Sequence, residues 1–273
     1  MFQSFLITFR EGLEAFLIVG ILLSYLERVQ AATYKRYLYL GVAAGVVASL
    51  VVAVLFQLVI SQFENERYKT TLMIFILLFA SGVLTYMAIW MQRQTRGKAA
   101  SVQRELDRHI GARNLIGMVS LAFVAVLREG FETILFFSAL TIADQEMTLR
   151  SGLTGGGLGL VSSVLLVYLL VSGTRKVPIG PYFKYTSLLL VIIAAGLLSS
   201  GVNMMQAIGW LPVWVEHLFD ISFILDDRAG VGIFLRALFG YNASPSLLQF
   251  VAWSGHLAIF AYLWKRVYVS PPD

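Results

Sequence analysis

The chain has 273 residues, 58% of them hydrophobic and 14% charged, where an average soluble domain is about 45–50% apolar and about 25% charged. That balance excludes an ordinary soluble domain and points to a membrane protein of several spans. The absence of cysteine excludes a disulfide framework and a thiolate metal site.

A spanning helix takes about 20 mostly apolar residues. Seven such runs follow one another, at roughly 2–26, 37–60, 70–91, 115–140, 153–172, 183–203 and 248–266. Lipid leaves only helices or closed barrels as solutions for the backbone, and these runs are too long and too continuously apolar for barrel strands. The expected fold class is therefore all-α and polytopic. The first run begins at Phe2 without a basic leader or a clear small-residue cleavage site. It is expected to be a retained span rather than a removed signal peptide.

Orientation follows from lysine and arginine in the loops. Segments 27–36, 92–114, 173–182 and 265–273, with Lys184, hold fourteen of the 21 basic residues. The opposite side holds Arg67, Lys69, Arg150, Arg228 and Arg236, and Arg10 and Arg128 lie inside spans. The basic side is expected to be cytoplasmic, which puts the N-terminus outside and the C-terminus inside. Topology thus accounts for the net charge of +5, and no nucleic-acid partner is inferred. The outer loop at 204–247 carries Glu216, Asp220, Asp226 and Asp227, with His217 nearby. Two readings stand: a solvated loop, or an acidic vestibule that attracts cations. Its apolar pieces, ISFIL and VGIFLRALFGY, are candidates for short re-entrant or surface helices.

The chain also repeats itself. ASGVLTYMAIWMQ at 80–92 aligns with AAGLLSSGVNMMQ at 194–206, at an offset of 114, and REGLE at 10–14 aligns with REGFE at 128–132, at an offset of 118. Within a single permease domain, repeat one (about 1–92) matches repeat two (about 115–206), and the span at 248–266 stands alone. Three spans per repeat means that the halves insert in opposite directions, the inverted plan of many transporters. The glycine-rich GVAAG at 41–45 and TGGGLG at 154–159 fit close helix packing. Neither has the Lys-Ser or Lys-Thr of a phosphate loop.

The two charged motifs carry the chemistry. A charge at a helix centre costs roughly 2.5–3.5 kcal/mol on insertion scales, so the six motif charges must face one another or a wet cavity. Residues three or four apart share a helix face. Glu11 and Glu14 can therefore reach one point, and Arg10 can pair with Glu14. Arg128, Glu129 and Glu132 repeat the geometry, and Gly12 and Gly130 keep the helix surface low for a facing helix or ion. Gly12 lies about 15 Å into its span at about 1.5 Å per residue, near the midplane. By the same rise Gly130 lies about 22 Å from the start of its own span, so either that span begins below the surface or its motif lies closer to the outside. If the two helices face each other, four carboxylates and two guanidiniums converge with a net charge of −2. A purely structural network tends towards neutrality, because leftover buried charge is expensive. The surplus acid suits a hard metal ion or a proton relay. His256 in WSGHLAIF is expected to be a hydrogen-bonded helix contact. The methionines, Met87, Met91, Met204 and Met205, are expected to be apolar filler.

REGLE and REGFE, in spans 1 and 4 of a seven-span chain, resemble the paired R-E-x-x-E motifs of the high-affinity iron permeases, which include ferroxidase-coupled permeases of fungi and Efe-type permeases of bacteria. The likeness extends to the W-M-Q ending of span 3 and to Asp220, Ser222, Gly240, Tyr241 and Pro245 of the outer loop. The compact length resembles the bacterial branch. The resemblance implies a transporter, not an enzyme. It implies import of Fe²⁺ or Fe³⁺ across the bacterial inner membrane, with iron as substrate and no permanently bound cofactor. It makes Glu11, Glu14, Glu129 and Glu132 the iron ligands, and Arg10 and Arg128 the groups that hold them. The outer acids Glu216, Asp220, Asp226 and Asp227 become an approach site. A periplasmic iron-binding protein and a haem peroxidase are the implied partners. One departure is GVNMMQAIGW, where some relatives carry a His or Glu near Asn203 or Gln206; an iron ligand at the outer end of span 6 has no support here. Two rival readings use the same residues: a proton-coupled transporter of another cation or solute, and a membrane scaffold with structural ion pairs. The first expects pH rather than metal to set occupancy, and the second expects paired charge swaps to retain function.

Overall fold

The computed structural model of the chain describes residues 2–62, 65–94, 115–143, 149–172, 179–227 and 229–269. Every described regular element is helical. In chain order they are α1 (Phe2–Arg28), α2 (Lys35–Ser61), α3 (Glu66–Gln94), α4 (Leu115–Ala143), α5 (Leu149–Ser172), α6 (Ile179–Ala207), α7 (Gly230–Phe239) and α8 (Leu247–Val269). The seven long helices fall on the seven apolar runs. Each extends a few residues beyond its run, because a helix continues into the polar boundary until a capping signal stops it.

Those signals are specific. After α1, Gln30 adopts a left-handed φ of 57°. Ala31 N–H then reaches back to the Leu26 carbonyl at 2.9 Å, and Gln30 N–H to that of Glu27 at 3.1 Å, the paired bonds of a Schellman closure. At the start of α8, Ser246 and Gln249 form a reciprocal capping box. Ser246 N–H donates to Gln249 Oε1 at 2.9 Å, and Gln249 N–H donates to Ser246 Oγ at 3.3 Å.

Five helices are long and apolar enough to cross a membrane: α2, α3, α5, α6 and α8. The other two long ones, α1 and α4, each carry the three charges of a motif. The chain is accordingly an all-α, multi-pass membrane protein. The outward face of α2, including Val47, Leu50, Val54 and Val59, is exposed; in water such a stripe would be costly, and in a bilayer it is the lipid surface. The basic residues from Arg96 to Arg113, with Arg175, Lys176 and Arg228, lie outside the described residues.

The chain divides into two compact units, one of residues 1–62, 94–137 and 148–178, the other of 63–93, 138–147 and 179–273. Each unit draws on both expected repeats. The first holds α1, α2, most of α4 and α5. At one end its core is Leu22, Leu26, Leu38, Met118 and Ala122. The second holds α3, α6, α7 and α8. Ser81 Oγ of α3 donates to the Ala194 carbonyl of α6 at 2.7 Å, and Ala88, Val191 and Phe260 form a core. His256 is the helix contact expected of it, 3.1 Å from Thr85 Oγ1.

In the outer loop, one of the two apolar pieces forms a helix. VGIFLRALF lies in α7, ended by Gly240 at φ 63°, whose backbone packs against Gly196 of α6. ISFIL makes only a turn, with Ile224 and Leu225 N–H both donating to the Ile221 carbonyl at 3.0 Å. Five residues, four of them apolar, followed by Asp226 and Asp227 are too few to repay helix nucleation. The loop is nevertheless ordered. Tyr241 Oη donates to the Leu225 carbonyl, Trp253 Nε1 to that of Phe239, and Ser246 Oγ to Gln206 Oε1, each at 2.8 Å.

Candidate metal centre

Both motifs lie in the first unit, one in α1 and the other in α4. Their charges are deeply placed. Arg10 and Glu11 are 1% exposed, Glu14 4%, Glu129 3% and Glu132 9%. Such burial is sustainable only with partners, and each motif begins by supplying its own. On α1, Arg10 Nη2 lies 2.9 Å from Glu14 Oε1, one helical turn away, and Nη1 contacts Glu11 Oε1. On α4, Arg128 Nε lies 2.9 Å from Glu132 Oε1 and 3.8 Å from Glu129 Oε1. The i,i+4 ion pairs expected from the spacing are thus present in both helices.

The two motifs then meet. One carboxylate oxygen from each of Glu11, Glu129 and Glu132 lies within 4.8 Å of the others. Among the described residues, this is the group of His, Asp and Glu side chains that converges closely enough to hold an ion. Glu14 is outside the trio, turned to Arg10, yet still within Coulombic range of Glu129. On Glu11, Glu129 and Glu132 the Oε2 atoms are buried without a hydrogen bond among the described residues. Buried carboxylate oxygens normally have a partner, so the trio is a candidate site for a bound ion.

The two halves of the site are not equivalent. Arg10 is enclosed, whereas the Arg128 side chain is 42% exposed. It borders a cavity of about 420 Å³ that runs along α4 past Ser120 and Val124 and reaches Glu129, with Ile18 of α1 on its wall.

The outer acids do not assemble into a comparable group. Glu216, Asp220 and Asp226 are exposed and Asp227 is half-buried. Asp220 Oδ1 accepts the Ser222 backbone N–H at 2.9 Å. Hydrogen bonds from the Ser222 hydroxyl and N–H hold its carboxyl below the usual range. Gln206, at the end of α6, is committed to Ser246 and to the Pro212 carbonyl.

The sequence reading passed over the helices behind the motifs. α1 packs along α5, and a Cβ placed on Gly12 would meet Ser163 Oγ at 2.6 Å. α4 packs on α2, and a Cβ on Gly130 would lie 2.6 Å from Ser49 Cβ. The signal was available, since α2 carries Gly41, Gly45 and Ser49 and α5 carries Gly155, Gly159 and Ser163, one G-x₃-G-x₃-S pattern recurring at an offset of 114. GVAAG and TGGGLG contain its first two positions, and the serine that completes each lies four residues further on.

Known proteins bear out the resemblance. Residues 1–270 match the Iron permease FTR1 family. A ferrous iron permease EfeU of Escherichia coli O6:K15:H31 strain 536 is 30% identical over 276 residues, covering 100% of this chain and 96% of the relative. The protein of the same name from Shigella sonnei strain Ss046 is 31% identical over 93% of this chain and 91% of its own length. That of Yersinia pestis is 30% identical over 91% and 88%. No solved structure matches the chain. The match over nearly the full length, with both charged motifs inside it, makes this chain a member of the iron permease FTR1 family.

Proposed function

We propose that this chain imports ferrous iron across a bacterial inner membrane, with Glu11, Glu129 and Glu132 as the central ligands. The observation that carries the reading is their convergence, three buried carboxylates from two helices within 4.8 Å. Oxygens around a first-row divalent ion sit about 2.0–2.2 Å from it, as they do around zinc, and so span at most roughly 4.4 Å. The trio is within a few tenths of an ångström of that size. Charge agrees as well. The four glutamates and two arginines of the motifs sum to −2, which one Fe²⁺ neutralises and Fe³⁺ would exceed. Glu14 and the two arginines hold and moderate the ligands.

The cavity beside Arg128 is the route away from the site. By the excess of basic residues in loops, the start of α4 faces the cytoplasm, so this opening leads inward. The inverted repeat would let the ligand cluster be exposed to each side in turn. A periplasmic iron-binding protein would deliver the ion from outside, past Glu216, Asp220, Asp226 and Asp227, with a haem peroxidase as the partner that handles iron oxidation.

Radiolabelled iron uptake, in cells lacking other iron importers, tests the reading. Saturable uptake is expected for iron kept reduced with ascorbate, and much less for a ferric complex. Glu132→Gln is expected to lose it at an unchanged membrane amount. Equal uptake of proton-linked solutes without metal dependence, or no iron uptake by the wild type, would overturn the reading.

The outer acids have a smaller expected effect. Asp220→Asn keeps the Oδ1 acceptor for Ser222 and removes only charge. It should lower uptake by less than about tenfold, and mainly at low ionic strength, as for a steering charge. Because its carboxyl is held low, Asp220 stays ionised from about pH 5 upward. Its contribution should not vary with pH above that point. Uptake measured across salt and pH for both proteins checks this.

A further inference from the structure

We propose that Ser49 and Ser163 are positioning residues for the carboxylate trio. Each forms the rear contact of a motif glycine and so sets where the neighbouring glutamate stands. This rests on the trio being the permeation site.

Gly12 follows Glu11, and Gly130 follows Glu129. Successive residues turn about 100° around a helix of 3.6 residues per turn, so each glycine lies well round from its glutamate. Behind Gly12 stands Ser163, fully buried, with Oγ donating to the Leu160 carbonyl of its own helix at 2.7 Å. Behind Gly130 stands Ser49, with Oγ donating to the Gly45 carbonyl at 2.9 Å. Both hydroxyls are tied to their own helices, so both serines act as fixed, small surfaces. The serines are related by the 114-residue offset and the glycines by the 118-residue offset of the motifs, and the contacts cross between the repeats: the first motif rests on the second repeat, and the second motif on the first. Adding a methyl to either glycine would push its helix off the serine. A rigid helix carries its glutamate with it. A ligand group must be held within about 0.5 Å of productive geometry, and the Glu11 and Glu129 Oε2 atoms have no hydrogen bond among the described residues to absorb a shift.

The two contacts differ in how close the serine Cβ comes, which makes the test specific. At Gly12, Ser163 Oγ is the obstacle at 2.6 Å, and Cβ is at 3.3 Å. At Gly130, Ser49 Oγ is the nearest obstacle, but Ser49 Cβ is itself at 2.6 Å, with Cα at 3.9 Å. Gly12→Ala and Gly130→Ala are each expected to raise the apparent KM for ferrous iron about tenfold or more at a normal membrane amount. Ser163→Ala or Ser163→Gly should restore most of the loss in Gly12→Ala. Only Ser49→Gly, and not Ser49→Ala, should restore Gly130→Ala. A mere stability effect would lower the amount of protein and leave KM alone. A transport-independent readout is available, because the chain has no cysteine and a Cβ on Gly156 would lie 3.4 Å from Thr8 Oγ1. Thr8→Cys with Gly156→Cys should form a disulfide across α1 and α5, slowed by Gly12→Ala and recovered with Ser163→Gly. If the wild type carries no iron, the permease reading falls, and the cross-link alone decides whether the serine sets the helix position. Unchanged KM in both alanine variants, or no rescue by Ser163→Gly and Ser49→Gly, overturns the proposal.

Discussion

Glu129→Gln should reduce saturable ferrous iron uptake by roughly a hundredfold or more. Groups that merely support a metal ligand already cost 10–100-fold when changed, and Glu129 is proposed as a ligand itself. The substitution keeps shape and removes one charge. Its effect on folding has the opposite sign. Glu129 is surrounded by the like charges of Glu11, Glu14 and Glu132, and its contact to Arg128 is the long one at 3.8 Å. Neutralising it relieves repulsion more than it breaks attraction. The protein should therefore reach the membrane at or above the wild-type amount while its transport is lost. An immunoblot of membranes beside the uptake assay separates the two quantities. Wild-type uptake by Glu129→Gln would remove the trio from the permeation path.

Arg10→Gln should fail for the reverse reason. Arg10 is among the largest fully buried side chains of the protein. It holds Glu14 at 2.9 Å and contacts Glu11. Removing one partner of a buried ion pair costs about 3–5 kcal/mol, because the remaining charge is stranded. Folded proteins have only about 5–15 kcal/mol in total. The variant should accumulate poorly and melt well below the wild type in detergent. Arg10→Lys should rescue little, since an ammonium cannot reproduce a fork held between two carboxylates. Arg128→Gln should be milder, because the Arg128 side chain is 42% exposed and water shares its role. Combining Arg10→Gln with Glu14→Gln should recover much of the protein amount by removing the carboxylate that Arg10 holds. Normal accumulation of Arg10→Gln alone would show that the guanidinium is dispensable for folding.

Much of this was legible in the residues because the bilayer imposes one-dimensional rules. Seven apolar runs became seven long helices, since a continuous run of that length has no other solution in lipid. The i,i+4 pairs Arg10–Glu14 and Arg128–Glu132 follow from helical spacing alone. What spacing could not say is how a side chain divides its contacts. Glu11 and Glu14 share a face and were expected to meet at one point, but Arg10 draws Glu14 aside, and three carboxylates rather than four form the close group. Nor could it say which helix lies behind each motif. Apolar packing has no charge complementarity to read, and small residues signal close approach without naming a partner. The turn at ISFIL was hidden for a different reason. The run looks apolar enough for a short helix, but it is too short to repay nucleation before Asp226 and Asp227, and the Asp220–Ser222 bond holds its start in a turn.

The crossed packing of the motif helices bears on how the chain is made. α4 settles on α2, which precedes it. α1 packs on α5, which at about 5–20 residues per second emerges from the ribosome on the order of ten seconds later. During that interval α1 must sit in the translocon or the lipid with three charges and no neighbour to receive them. Arg10, bonded to two carboxylates of its own helix, reduces them to a single net negative charge before any partner exists. The guanidinium that later holds Glu14 in the folded protein is thus first the group that lets the opening helix wait in the membrane.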